Sequence, residues 1–202
     1  MVPAAALALL GALVARFLRP TSSGRRPLVA LVTAAAFGAI AAARGVRPEL
    51  LVLLPFVALL VAVAGIDLEH RIIPNRLVLR AALFGLAANA LVRPDQLPEL
   101  ALAGWLAFFS LLTAALAYPA GMGMGDVKLA GVMGLYLGPS VAVALLVAFL
   151  AGSLFGVAKI AREGPAARKS AIPFAPFLAL GGLIAVLVGP DVLHACGDHL
   201  LA

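Results

Sequence analysis

Apolar residues fall in eight runs, at about 2–18, 28–43, 50–66, 77–92, 100–118, 126–138, 140–160 and 173–190, and most charged residues lie between or at the edges of these runs. None of the runs alternates polar with apolar, so strands are not indicated, and most approach the ~20 residues that a helix needs to cross the hydrocarbon layer. Only 126–138 is short. Pro20, Pro27, Pro48, Pro98, Pro139 and Pro190 sit at or near the breaks, where a ring without an N–H harms no helix. The pattern predicts an all-α, polytopic membrane protein with about eight crossings.

Composition removes the alternatives. The 202 residues are 64% hydrophobic and only 12% charged, against about 25% charged in an ordinary soluble domain, and the mean hydropathy is +1.12. A soluble domain of this size has too little interior to hide that much apolar surface. Eight crossings use about 160 residues, which leaves no room for a separate soluble domain. The single cysteine, Cys196, excludes an internal disulfide or a thiolate-rich zinc site.

The net charge of +6 could suggest nucleic acid, but the basic residues are scattered between apolar runs rather than gathered on a polar face. Lys and Arg in short loops are held on the cytoplasmic side, and that rule orders them. With eight crossings and the N-terminus outside, one face holds Arg16, Arg19, Arg25, Arg26, Arg71, Arg76, Arg80, Lys128, Lys159, Arg162, Arg168 and Lys169, and the other only Arg44, Arg47 and Arg93. No nucleic-acid partner is needed to explain the charge. The expected cytoplasmic loops are about 19–27, 67–76, 119–125 and 161–172. No basic residue precedes the first run, whereas Arg16 and Arg19 close it; that order reads as a retained helix rather than a cleaved signal peptide.

Six of the nine acids, Glu49, Asp95, Glu99, Glu163, Asp191 and Asp198, fall in expected loops or the tail. Asp67 and Glu69 lie where the third run ends, and Asp126 where the sixth begins. An acid at membrane depth is costly and by default faces a wet, functional cavity. The topology puts Asp67 and Asp126 at one face, where they can meet. A close pair of carboxyls shares a proton, because two adjacent like charges do not both ionise cheaply. Such a pair can hydrolyse a peptide bond, one member drawing a proton from water and the other polarising the carbonyl. Binding of a coupling ion in a small transporter, a purely structural pairing with a cation such as Arg71, or a place in a non-catalytic membrane component of a secretion machine fits the same residues.

The surrounding sequences narrow the choice. Asp67 stands in Gly65-Ile66-Asp67-Leu68-Glu69-His70-Arg71-Ile72-Ile73-Pro74-Asn75, and Asp126 in Gly121-Met122-Gly123-Met124-Gly125-Asp126-Val127-Lys128-Leu129. Gly121, Gly123 and Gly125 remove side chains around one acid, so backbone or substrate can come close, and they permit positive φ. A phosphate-cradling loop is not indicated, since the G-x-G-x-x-G spacing fails and no strand precedes it.

With these motifs the chain resembles the type IV prepilin peptidases, membrane aspartic proteases that carry a Gly-x-Gly-Asp motif. The resemblance rests on Asp67 in an Asp-x-x-x-x-x-Ile-Pro-Asn pattern and on Gly123-Met124-Gly125-Asp126-Val127-Lys128-Leu129. It extends to Arg26-Pro27-Leu28-Val29 opening the second run and Ile172-Pro173-Phe174-Ala175-Pro176-Phe177-Leu178-Ala179-Leu180-Gly181 opening the last. It implies removal, at the cytoplasmic face of the bacterial inner membrane, of a short basic leader from prepilin- or pseudopilin-like precursors, with Asp67 and Asp126 catalytic and no metal or organic cofactor. Many members carry a cysteine-containing cytoplasmic insert after the first helix and also methylate the product. Here residues 19–26 are short and lack cysteine, so a peptidase-only form is expected. Residues 49–190 would form a six-helix peptidase core, residues 1–48 two accessory helices and 191–202 a short tail outside. The sequence gives no oligomeric state.

Other residues carry less. Lys128 points about 200° from Asp126 on a regular helix and is read as an orientation anchor or a contact to substrate or the other loop. Glu69 and His70 could receive the leader or tune Asp67, and Pro74 and Asn75 fix entry into the fourth helix. His194, Cys196 and His199 lie in the tail away from both aspartates, so a metal site there is not expected. Trp105 is read as helix packing, Tyr118 as an interfacial anchor, and Met122, Met124 and Met133 as apolar fillers, of which the first two could line a substrate path.

Overall fold

The computed structural model describes residues 26–45, 47–118, 121–164 and 172–200. The expected first run at 2–18 and most of the loops at 19–27 and 161–172 lie outside the described residues. Those described form seven helices: α1 (Arg26–Arg44), α2 (Leu50–His70), α3 (Asn75–Val92), α4 (Leu97–Ala117), α5 (Met124–Leu137), α6 (Val141–Glu163) and α7 (Ala175–Leu200). The protein is all-α, as the unbroken apolar runs require. Short 3-10 turns at Pro94–Gln96 and Gly138–Ser140 join α3 to α4 and α5 to α6.

Five stretches among the described residues are long and apolar enough to cross a membrane: Leu50–His70, Asn75–Val92, Pro94–Ala117, Met124–Glu163 and Ala175–Leu193, with a shorter apolar helix at Leu31–Ala43. The stretch Met124–Glu163 has 40 residues, about twice what one crossing uses. It divides at Gly138, whose φ of +58° lies where a side chain is strained and glycine is not.

Close contacts give the directions. A Cβ on Gly182 of α7 would meet Leu60 of α2 and Met133 of α5, whereas Gly181 lies against Ala144 of α6 and Gly189 against Ser140. Helices α5 and α7 therefore run the same way and α6 runs in the opposite direction. Asn75 bonds to Lys128 near the start of α5 and Asn89 to Leu135 near its end, so α3 runs with α5. The ends of α2, α4 and α6 and the starts of α3, α5 and α7 thus gather at one end of the bundle, the alternation expected of the 67–76, 119–125 and 161–172 connections.

Helix α2 is the centre. Val52, Phe56, Val57, Leu60 and Val63 are buried, covering more than one face, which suits a helix surrounded by others. Helices α4 and α5 touch backbone to backbone: a Cβ on Gly134 would lie 2.5 Å from Gly104 Cα. Small residues allow such approach, the main source of van der Waals attraction between helices in lipid. One expectation fails. Pro190 does not break the last helix, which continues to Leu200 where a tail was expected; helices in lipid tolerate proline because neighbouring groups satisfy the backbone it frees. Trp105, read as helix packing, stacks on Phe109 of its own helix with ring centroids 5.1 Å apart and is 64% exposed.

Candidate active site

Asp67 lies one turn before the end of α2. The helix stops at Arg71, which takes left-handed backbone angles of φ 54° and ψ 36° and donates its N–H to the Asp67 carbonyl. Leu68 and His70 are exposed while Asp67 is buried, so the acid occupies the inward face of the last turn. Asp126 is the third residue of α5 and is also buried. Its N–H donates to the Gly123 carbonyl at 3.1 Å, closing the first turn, and the unbonded N–H groups of that turn favour a negative charge.

The fold places these two acids at the same end of the bundle, where Ile73, six residues after Asp67, packs on Gly125 beside Asp126, near enough for their charges to interact. Their surroundings differ. Asp67 Oδ2 accepts a hydrogen bond at 3.1 Å from the Ala175 N–H, the first residue of α7. That N–H has no partner within its own helix, and Pro176 beside it contributes none. Arg71 adds a positive charge near Asp67. The Asp126 carboxylate accepts from the Gly123 backbone N–H, yet its Oδ1 is buried with no partner, the sole such side-chain atom among the described residues. A buried, unpaired carboxylate oxygen is expensive, and its persistence here points to a task outside folding.

Comparison with known proteins identifies the family. Residues 54–157, which hold both acids, match the type IV leader peptidase family. The chain belongs to that family. It is 36% identical over 169 residues to the prepilin leader peptidase/N-methyltransferase of Bacillus subtilis, covering 83% of this chain and 67% of that protein. The proteins of the same name from Aeromonas salmonicida and Pseudomonas putida are 35% and 34% identical, over 84% and 89% of this chain but 60% and 64% of theirs. The chain thus spans roughly 60 to 67% of the length of these curated relatives. No solved structure matches it.

The remaining motif residues of this leader-peptidase chain divide sharply. Gly123 borders the acid: a Cβ there would stand 3.4 Å from Asp126 Oδ2. At Gly121 and Gly125 it is the protein itself that comes close, the loop-shaping one of the two uses expected of these glycines. Tyr118 lies over Gly121, and the Ile73 side chain approaches within 2.8 Å of where a Gly125 Cβ would be. Gly125 therefore lets the connection after Asp67 close on the turn before Asp126. None of the three glycines uses positive φ, which among the described residues occurs at Gly45, Gly138, Gly164 and Arg71.

Lys128 Nζ donates to Asn75 Oδ1 at 2.9 Å, the contact to the other loop that was one of its two expected roles. Pro74 is extended, with φ −65° and ψ 118°, and caps α3, as its place before the helix suggested. Glu69 is half-buried in the last turn of α2, two residues and hence about 200° from Asp67. The side chains of His194, Cys196 and His199 lie outside the described residues.

Sequence reasoning missed the part played by Ala175. Its signal was the Pro173-Phe174-Ala175-Pro176 string, because prolines crowd the first turn of a helix, but nothing local says where that turn points. It also missed Asn89 and Arg93, described below.

Proposed function

We propose that this chain is a membrane-embedded aspartic endopeptidase that removes the basic leader from type IV prepilin- or pseudopilin-like precursors at the cytoplasmic face of the bacterial inner membrane, with residues 49–190 as the catalytic unit. The observation that carries the reading is the meeting of Asp67 and Asp126, two buried acids from separate helices, one with an oxygen that no protein group satisfies.

The pair holds one proton between its carboxyls. The ionised member takes a proton from water as the water oxygen attacks the scissile carbonyl, and the protonated member hydrogen-bonds to that oxygen as charge builds on it. Collapse of the tetrahedral species breaks the C–N bond and returns a proton to the departing amine. The Ala175 N–H bond holds one Asp67 oxygen, and Asp126 Oδ1 is a buried acceptor open to water. A precursor's apolar helix reaches the enzyme by lateral diffusion, and its basic leader stays in the interface on the side of positive loops. The reading covers the peptidase step alone, because residues 19–26 are short and without cysteine. The methyl transfer in the relatives' names is not assigned.

The test is incubation of the purified protein, in detergent or lipid, with a candidate precursor and mass-spectrometric mapping of the new N-terminus. The expected product begins at the boundary between leader and apolar helix, and Asp67→Asn or Asp126→Asn yields none. Substantial processing by either variant contradicts the assignment.

A further inference from the structure

On the side of α5 turned away from the acids lies an open cleft of about 610 Å³. Its floor is one face of α5, Lys128, Gly131, Val132 and Leu135, at the spacing i, i+3, i+4, i+7 that aligns residues along a helix. Helix α3 forms one wall over residues 75–82 and α4 the other over 101–109, and Trp105 is in the second wall. The floor is about 10 Å long, some two-thirds of the ~15 Å depth of one hydrocarbon leaflet. Apart from Asn75 and Lys128 at one end, all the lining residues are apolar, glycine or tryptophan.

Charge is concentrated at that polar end. Lys128 reaches only the neutral amide oxygen of Asn75, and Arg76 and Arg80 are exposed on the adjoining part of α3. None of the three has a carboxylate within ion-pair distance among the described residues. A cation at the head of an apolar cleft matches an anion carried on a hydrocarbon tail, and basic pockets between membrane helices bind acidic lipid headgroups. We infer that this cleft is a binding site for an anionic phospholipid, with an acyl chain along the α5 floor and the phosphate at Lys128 and Arg76.

A precursor helix fits less well. Lys128 and Asp126 project about 200° apart on α5, so a helix seated in the cleft would have the body of α5 between its end and the acids. The lipid site is thus separate from the proposed reaction and does not depend on it.

Trp105 is the sole tryptophan of the chain, so its fluorescence reports on the cleft wall. The full chain is reconstituted in phosphatidylcholine vesicles in which an equal fraction of lipid is brominated on its acyl chains, as phosphatidylglycerol in one set and phosphatidylcholine in the other. Brominated phosphatidylglycerol should quench Trp105 more strongly, with occupancy favoured about fivefold for each basic residue engaged. Added salt should erode the excess, and Lys128→Gln should remove most of it while leaving quenching by brominated phosphatidylcholine in place. Equal quenching by the two headgroups in the wild-type protein, or an excess insensitive to salt, overturns the proposal. So does a Trp105 signal that responds to an added precursor helix but not to headgroup charge.

Discussion

At the far end of α5 from the acids, buried polar groups are matched. Asn89, 1% exposed, donates to the carbonyls of Gly85 and Leu135. Arg93 donates to Asn89 Oδ1 and to the Tyr136 carbonyl. The Tyr136 hydroxyl donates to the Ala81 carbonyl at 2.7 Å, and its ring stacks on Phe56 with centroids 4.6 Å apart. Last-turn carbonyls of α5 that would otherwise be orphans thus receive the side chains of Asn89 in α3 and of Arg93 just past its end. At the Asp126 end the same helix carries a buried carboxylate oxygen with no partner. One end spends its polar groups on holding helices together, and the other keeps an acceptor in reserve. Burial pushes the Arg93 guanidinium below its usual range, opposed by the Glu49 charge, so even the cation belongs to the structural end.

If the contrast is right, substitutions at the two ends separate activity from stability. The largest effect is expected at the acids: Asp67→Asn or Asp126→Asn should lower the processing rate by about 10²–10⁴-fold, the range for lost general acid–base catalysis, with the unfolding temperature in detergent unchanged or raised. Next comes Ala175→Pro, which removes the donor to Asp67 Oδ2 while keeping a residue suited to a first helical turn. A hydrogen bond to a charged acceptor is worth about 1.5–3 kcal/mol, so steady-state assays should show roughly a ten- to hundredfold lower kcat and little change in KM.

At the other end, Asn89→Ala leaves the Leu135 carbonyl without its side-chain donor and Arg93 with the Tyr136 carbonyl alone. Denaturation should show about 1–3 kcal/mol less stability, while turnover per folded molecule stays within about twofold of wild type. Smallest is Lys128→Gln, which weakens one exposed bond to Asn75. The stability cost should be under about 1 kcal/mol, measured in the same denaturation series. A large activity loss in Asn89→Ala without unfolding would erase the distinction between the ends.

Much of this was legible in the sequence. The apolar runs from 28–43 onward fall on the seven helices to within a few residues, except where α7 runs through Pro190. Length and hydropathy determine membrane helices with little help from tertiary contacts, and the motifs around Asp67 and Asp126 single out the two acids for which the catalytic role is proposed. What was hidden depends on long-range orientation. Residue identity does not reveal that the Ala175 N–H points at an acid 108 positions away, nor that lone Asn89 turns inward to cap α5 while Trp105 turns outward. The glycines around Asp126 left two occupants open for the same reason: they allow close approach, and what approaches Gly121 and Gly125 is Tyr118 and Ile73.

The central claim is that Asp67 and Asp126 act as one device. It is tested most directly by comparing processing rates of one precursor by the wild type, Asp67→Asn, Asp126→Asn and the double variant. Groups that work as a unit lose their effect together, so the double variant should be about as slow as either single one. Losses that multiply, or one single variant that still processes the precursor well, would show that the two carboxylates work separately.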